Sequence, residues 1–178
     1  MHDNHNHPTM RNAHDHLESE STPREYAKFI GVIIGILITS YFLALNWGGI
    51  SVSNYLRLFM GTFFLVFSMF KIIDLKGFAI SYTGYDVVAK RFMKYAYAYP
   101  FIELALALGY FLNIPNTQWV TLIFMVIGSI GVFKELMRGS KIKCACLGTY
   151  IKLPLTTVSL VEDVTMGVMA LLMILRVF

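Results

Sequence analysis

Cys144 and Cys146 are the chain's two cysteines, and they stand one residue apart in the stretch "GSKIKCACLGTY". Thiols at this spacing suit two kinds of chemistry. A disulfide between positions i and i+2 closes a very small, strained ring, and strained disulfides favour exchange over structural stapling. Lys141 and Lys143 precede the pair, and nearby cations favour the thiolate, the form that attacks disulfides and binds metals. The same two sulfurs could hold a soft ion such as Cu(I), or half of a Zn site. The plain alternative is two unrelated loop thiols. Spacing does not choose between redox and metal chemistry.

A second set of reactive side chains is confined to the N-terminus. His2, His5, His7, His14 and His16 are all the histidines of the chain. Imidazoles on a flexible tail can wrap a Cu, Ni or Zn ion, with Met1 and Met10 as further soft donors. The competing reading is a polar, Asn-rich tail that happens to carry histidine.

A third set lies within apolar sequence. Glu103 sits in "YPFIEL", where an ionisable group at membrane depth is expensive and marks a functional site by default. An ion pair with Arg57 or Lys71 is the structural reading. Glu162 and Asp163 fall near the start of the last apolar run, where acids oppose the positive end of a helix dipole and act as caps. Glu103 and Asp163 are also candidate proton carriers for the thiols.

These groups need a scaffold, and composition names its class. Hydrophobic residues make up 56% of the 178-residue chain and charged ones only 15%, against about 25% charged in a soluble domain. Mean hydropathy is +0.59. The pattern predicts an all-α integral membrane bundle with spans over about 27–45, 55–73, 97–112, 119–136 and 158–177, each near the roughly 20 residues a crossing needs. Residues 1–25 form a polar tail of disordered composition, and 26–178 form the transmembrane domain. The first run starts too late and runs too long for an ordinary cleaved signal peptide. Pro100, near the start of the third span, is tolerable there. Arg57 and Lys71 can snorkel from the two ends of the second span. Tyr85, Val88, Phe92 and Tyr95 recur at helical spacing among Lys90, Arg91 and Lys94, which predicts an amphipathic helix on the membrane surface. Gly31 and Gly35 have small-xxx-small spacing, read as close helix contact inside the bundle.

Basic residues set the topology. Arg11, Arg24 and Lys28 open the chain; Lys76, Lys90, Arg91 and Lys94 fill the second gap; Arg138, Lys141, Lys143 and Lys152 fill the fourth. The first and third gaps have none. The positive-inside rule therefore puts the N-terminus and the Cys gap in the cytoplasm. Four crossings separate tail from Cys gap, so the two share a side whichever way the molecule is inserted. The positive charge lies at helix ends and in alternate gaps, without a basic aromatic stripe, and no nucleic-acid partner is expected. The lipid bilayer is the expected partner, with a thiol-bearing protein or a metal ion as the candidate second one.

Arg57 and Gly61, Lys71, "GYDVVAKRF", "YPFIEL", "CACLG" and "LTTVSLVED" occur in that order. Over about residues 55–175 this resembles the MauE/DoxX group of small redox-associated membrane proteins, nearer the methylamine-utilisation MauE branch. The most specific pieces are Pro100-x-x-Glu103 and Cys144-x-Cys146-x-Gly148. Leu147 stands where the family usually has Phe, and Glu162-Asp163 where it often has Arg-Asn. The resemblance implies a four-helix DoxX-like core plus one additional span, in the bacterial inner membrane. It further implies a part in thiol-disulfide chemistry during maturation of exported proteins. No cofactor is fixed by the sequence: Cu or Zn belongs to the metal reading, and a quinone stays open as an electron acceptor.

Overall fold

A computed structural model of the chain describes residues 23–84, 89, 91–137 and 156–175. The N-terminal histidines and the Cys144–Cys146 pair lie outside these residues, as do Tyr85 and Val88. Among the described residues the fold is all-helical, with six helices and no strand. They are α1 (Pro23–Asn46), α2 (Val52–Ile73), α3 (Leu75–Tyr82), α4 (Met93–Phe111), α5 (Thr117–Met137) and α6 (Thr156–Ile174). Ala27–Asn46 and Val52–Ile73 are long and apolar enough to cross a membrane. Helices α4, α5 and α6 have 19, 21 and 19 residues; 19 residues rise about 28 Å, close to the thickness of a hydrocarbon core.

The connections explain where the helices stop. After α1, Gly48 and Gly49 take φ of +89° and +82°, a left-handed region that glycine enters without a Cβ clash. Asn54 then clamps the turn, its Nδ2 donating to the carbonyls of Trp47 at 2.6 Å and Gly49 at 2.9 Å. Ser51 caps α2 by accepting from the Asn54 N–H, satisfying one of the otherwise orphaned first-turn donors. Between α4 and α5, Asn113 and Asn116 adopt φ of +53° and +67°, the region that Asn tolerates best among residues with a side chain. Thr117 Oγ1 donates to the Ile114 carbonyl at 2.8 Å.

Helices α2 and α4 run antiparallel: Arg57 meets Tyr110 at one end, and Lys71 meets Glu103 toward the other. Helices α5 and α6 form a second antiparallel pair, with Gly128 opposite Asp163 and Met125 opposite Gly167. The core between them is aromatic. Phe63 and Phe67 stack at 4.3 Å, and Tyr99 bridges Tyr82 at 4.5 Å and Phe124 at 4.8 Å. Offset and tilted rings of this kind add about 0.5–1.5 kcal/mol per pair beyond their burial. Helix α1 packs along one edge through Ile36, Ser40 and Ala44, and the Ser40 hydroxyl returns to the Ile36 carbonyl.

Four sequence expectations change. The helix of the third predicted span begins at Met93 rather than Tyr97, so Pro100 stands inside the helix, where it removes the bond to the Ala96 carbonyl. The surface helix over Tyr85–Tyr95 is not one element. Phe92 is extended and Tyr95 already belongs to α4, while the short helix of this region, α3, buries Phe78 and Tyr82 against the bundle. Gly31 and Gly35 do not mediate contact among the described residues, because a Cβ on either would meet nothing there within 4 Å. Their face of α1 points outward, and the close approaches are made instead by Gly61 against Tyr110 and Phe111, and Gly109 against Thr117. Arg57 does not simply reach an interface: Nη1 donates to the Tyr110 carbonyl at 2.6 Å and the Phe111 carbonyl at 3.2 Å. It thereby caps the C-terminus of α4 with a cation, the sign that end of a helix dipole favours.

Candidate functional site: a buried charge cluster

Lys71 lies on the stripe Met60, Phe64, Phe67, Lys71, which is one face of α2 at helical spacing and is buried throughout. That phase carries its side chain into the bundle instead of toward the interface, which overturns the snorkelling expectation. Lys71 is 4% exposed and its Nζ donates to Glu103 Oε1 at 2.5 Å. Glu103 is 3% exposed and stands on the matching stripe of α4, Ala96, Tyr99, Glu103, Leu106 and Tyr110. Of the two partners the sequence offered Glu103, the structure selects Lys71.

The ammonium is boxed on its other sides by rings. Nζ lies 5.0 Å from the Tyr99 ring centroid and 5.6 Å from that of Phe78, within reach of cation–π attraction. A lysine so placed has exchanged water for one carboxylate and two aromatic faces. Desolvating two charges is costly, and the pair holds only because each group compensates the other.

Two further acids approach from α6. The helix begins at Thr156, with no acid in its first turn. Glu162 and Asp163 therefore sit beyond the capping positions, and the capping account of them is set aside. Glu162 instead shares a face with buried Met166 and Ala170, at i, i+4 and i+8. Lys71 and Glu103 from across the bundle, and its neighbour Asp163, are the charged groups that act on it. Asp163 turns toward α5: a Cβ on Gly128 would stand 3.3 Å from its Oδ2 and 3.9 Å from the Tyr99 hydroxyl. Glycine at 128 leaves the room that this carboxylate and phenol use.

The cluster is incompletely paired. Glu103 Oε2 and Glu162 Oε2 are buried without a hydrogen-bond partner among the described residues. The Tyr99 hydroxyl is a hydrogen-bonding neighbour of the Glu103 carboxyl, while Oε2 itself stays without a partner. Among the described residues no group of three or more His, Cys, Asp and Glu side chains could hold a metal ion. The candidate metal donors His2, His5, His7, His14, His16, Cys144 and Cys146 fall outside those residues.

Position links the cluster to the Cys gap. Helix α2 ends two residues after Lys71, and Glu162 is six residues into α6, about 9 Å along its axis. Helix α5 ends at Met137, and α6 starts at Thr156. The charged layer thus lies toward the bundle end from which the segment carrying Cys144 and Cys146 departs.

Residues 39–176 match the family model of methylamine utilisation protein MauE. The chain belongs to the MauE family. Comparisons with curated proteins and with solved structures return no match. The matched range takes in α2 to α6 and the last third of α1, together with every member of the charge cluster and the Cys pair. With its long apolar helices, this MauE-family chain is a membrane protein.

Proposed function

We propose that this MauE-family protein supports thiol–disulfide exchange on partner proteins, with Cys144 and Cys146 as the reacting couple and Glu103 and Asp163 as proton carriers. The protein crosses the bacterial inner membrane five times, by α1, α2, α4, α5 and α6, with the tail and the Cys gap in the cytoplasm. The observation that carries this reading is the isolated Cys-x-Cys, flanked by Lys141 and Lys143, in the segment joining two helices whose bundle holds buried carboxylates near that end.

The chemistry balances without a further reagent. One thiolate of the pair attacks a sulfur of a partner disulfide; the S–S bond breaks and the partner's second sulfur leaves as a thiolate. The second cysteine then attacks the mixed disulfide, closing the Cys144–Cys146 bond and releasing the partner as a dithiol. The pair is oxidised by two electrons and the partner reduced by two. Two protons leave the pair and two join the partner. The reverse sequence oxidises a partner dithiol. A strained disulfide over the three residues Cys144–Cys146 has a more oxidising potential and so favours oxidation of the partner dithiol.

The test is a double Cys144→Ser, Cys146→Ser variant, followed through a mixed-disulfide trap. Wild type with Cys146→Ser alone accumulates a covalent adduct that reductant releases, and the double variant forms none. Equal adduct in both sinks the reading. A metal-handling role is the second reading, favoured by the placement of every histidine and both cysteines on one membrane side under a five-span topology. Binding of Cu(I) or Zn(II) by purified full-length protein, weakened when residues 2–16 are deleted, supports it.

A further inference from the structure

The charge cluster contains one ammonium, Lys71, and three carboxyl groups, Glu103, Glu162 and Asp163. Lys71 is committed to Glu103 through the 2.5 Å contact. That leaves the acids of α6 in excess, inside a bundle whose walls are Phe78, Tyr99, Phe124 and Met166. Asp163 finds its surroundings near Gly128 and the Tyr99 hydroxyl. Glu162 does not: its Oε2 is sealed from solvent and accepts no hydrogen bond among the described residues. Two unpartnered carboxylate oxygens, one on α4 and one on α6, therefore belong to one cluster. An unpaired carboxylate is among the costliest groups to hold in such a place. Two things relieve it: a cation held between carboxylates, or a proton on one of them. A hard cation takes roughly six or more oxygen ligands, whereas two bare carboxylate oxygens suffice to share one proton, so the proton is the simpler relief.

We propose that Glu162 binds an exchangeable proton inside the bundle, next to the Lys71–Glu103 ion pair. The protonated carboxyl gains a donor, which the bare Glu103 oxygen can accept or a water can relay. Among the described residues, the charged groups that act on it are Lys71 on α2, Glu103 on α4 and Asp163 on α6 itself. Glu162 lies about 9 Å along α6 from its first residue, so the proton has a short route to the bundle end. The inference does not depend on the thiol reading.

The test is infrared spectroscopy of the full-length protein in phosphatidylcholine–phosphatidylglycerol vesicles at neutral pH, in H2O and then in D2O. The expected result is the carbonyl stretch of a protonated carboxylic acid that shifts on deuteration. It is lost in Glu162→Gln, displaced but present in Glu162→Asp, and unchanged in the Cys144→Ser, Cys146→Ser variant. The aspartate keeps the experiment decisive if the glutamine variant folds poorly. Absence of the band in wild type, or its survival in Glu162→Gln, overturns the proposal. So does a band that appears only when sodium is replaced by choline, since the site would then hold a metal cation.

Discussion

At the scale of single residues, Lys71 has the most consequence. Removing it leaves Glu103 charged, 3% exposed and unpaired, and breaking a buried pair from one side costs about 3–5 kcal/mol. Lys71→Met therefore lowers stability by that order in chemical unfolding of the micellar protein. The double change Lys71→Met, Glu103→Leu recovers most of the loss, because an apolar pair of similar volume has no charge to bury. Equal loss in the single and double variants would show that packing, not charge, dominates at this position. Tyr110→Phe is a smaller probe. Its hydroxyl donates to Thr121 Oγ1 at 3.0 Å in a buried site, so its removal costs about 1 kcal/mol in the same unfolding experiment.

At the scale of elements, glycines divide by what faces them. A Cβ on Gly61 meets Phe111 and Tyr110 atoms at 3.2–3.3 Å, so Gly61→Leu forces α2 and α4 apart and destabilises by about 1–3 kcal/mol. Gly31→Ala and Gly35→Ala meet nothing and raise stability by about 0.5–1 kcal/mol through helix propensity. Thermal unfolding of the three variants checks the contrast, and a destabilised Gly35→Ala would mean that α1 has a neighbour on its outer face. The same elements show what could be read beforehand. The five long apolar helices follow from runs of about 20 residues, and their ends moved by a few positions at most. Glu103 stood out because a charge interrupts an apolar run. The burial of Lys71 was legible too, in the phase Met60, Phe64, Phe67, Lys71, but its nearness to the helix end suggested an escape to the interface that the α4 carboxylate outcompetes. The capping reading of Glu162 fails because α6 starts at Thr156, two residues before the predicted span, which leaves the acid beyond the first turn. The break around Phe92 could not be read from periodicity, since Tyr95 keeps the spacing while belonging to another helix.

At the scale of the whole molecule, the proposed five-span topology, read from the alternation of positive charge, predicts that the N-terminal histidines and the Cys gap share the cytoplasmic side. Thiol labelling with a membrane-impermeant reagent reports this directly: Cys144 and Cys146 react only after the membrane is opened, and a cysteine placed at position 4 behaves identically. Opposite labelling of the two sites would remove one crossing from the count. The described molecule is an aromatic helical bundle with an internal charge cluster.

The central claim is that Cys144 and Cys146 act as one redox couple, and a redox titration of purified protein in graded thiol–disulfide buffers tests it most directly. The account predicts a single two-electron transition, in which the ratio of disulfide to dithiol changes tenfold per about 30 mV, and its loss in either single Cys→Ser variant. Two thiols that stay independently reactive at every poise, with no intramolecular disulfide formed, would contradict it.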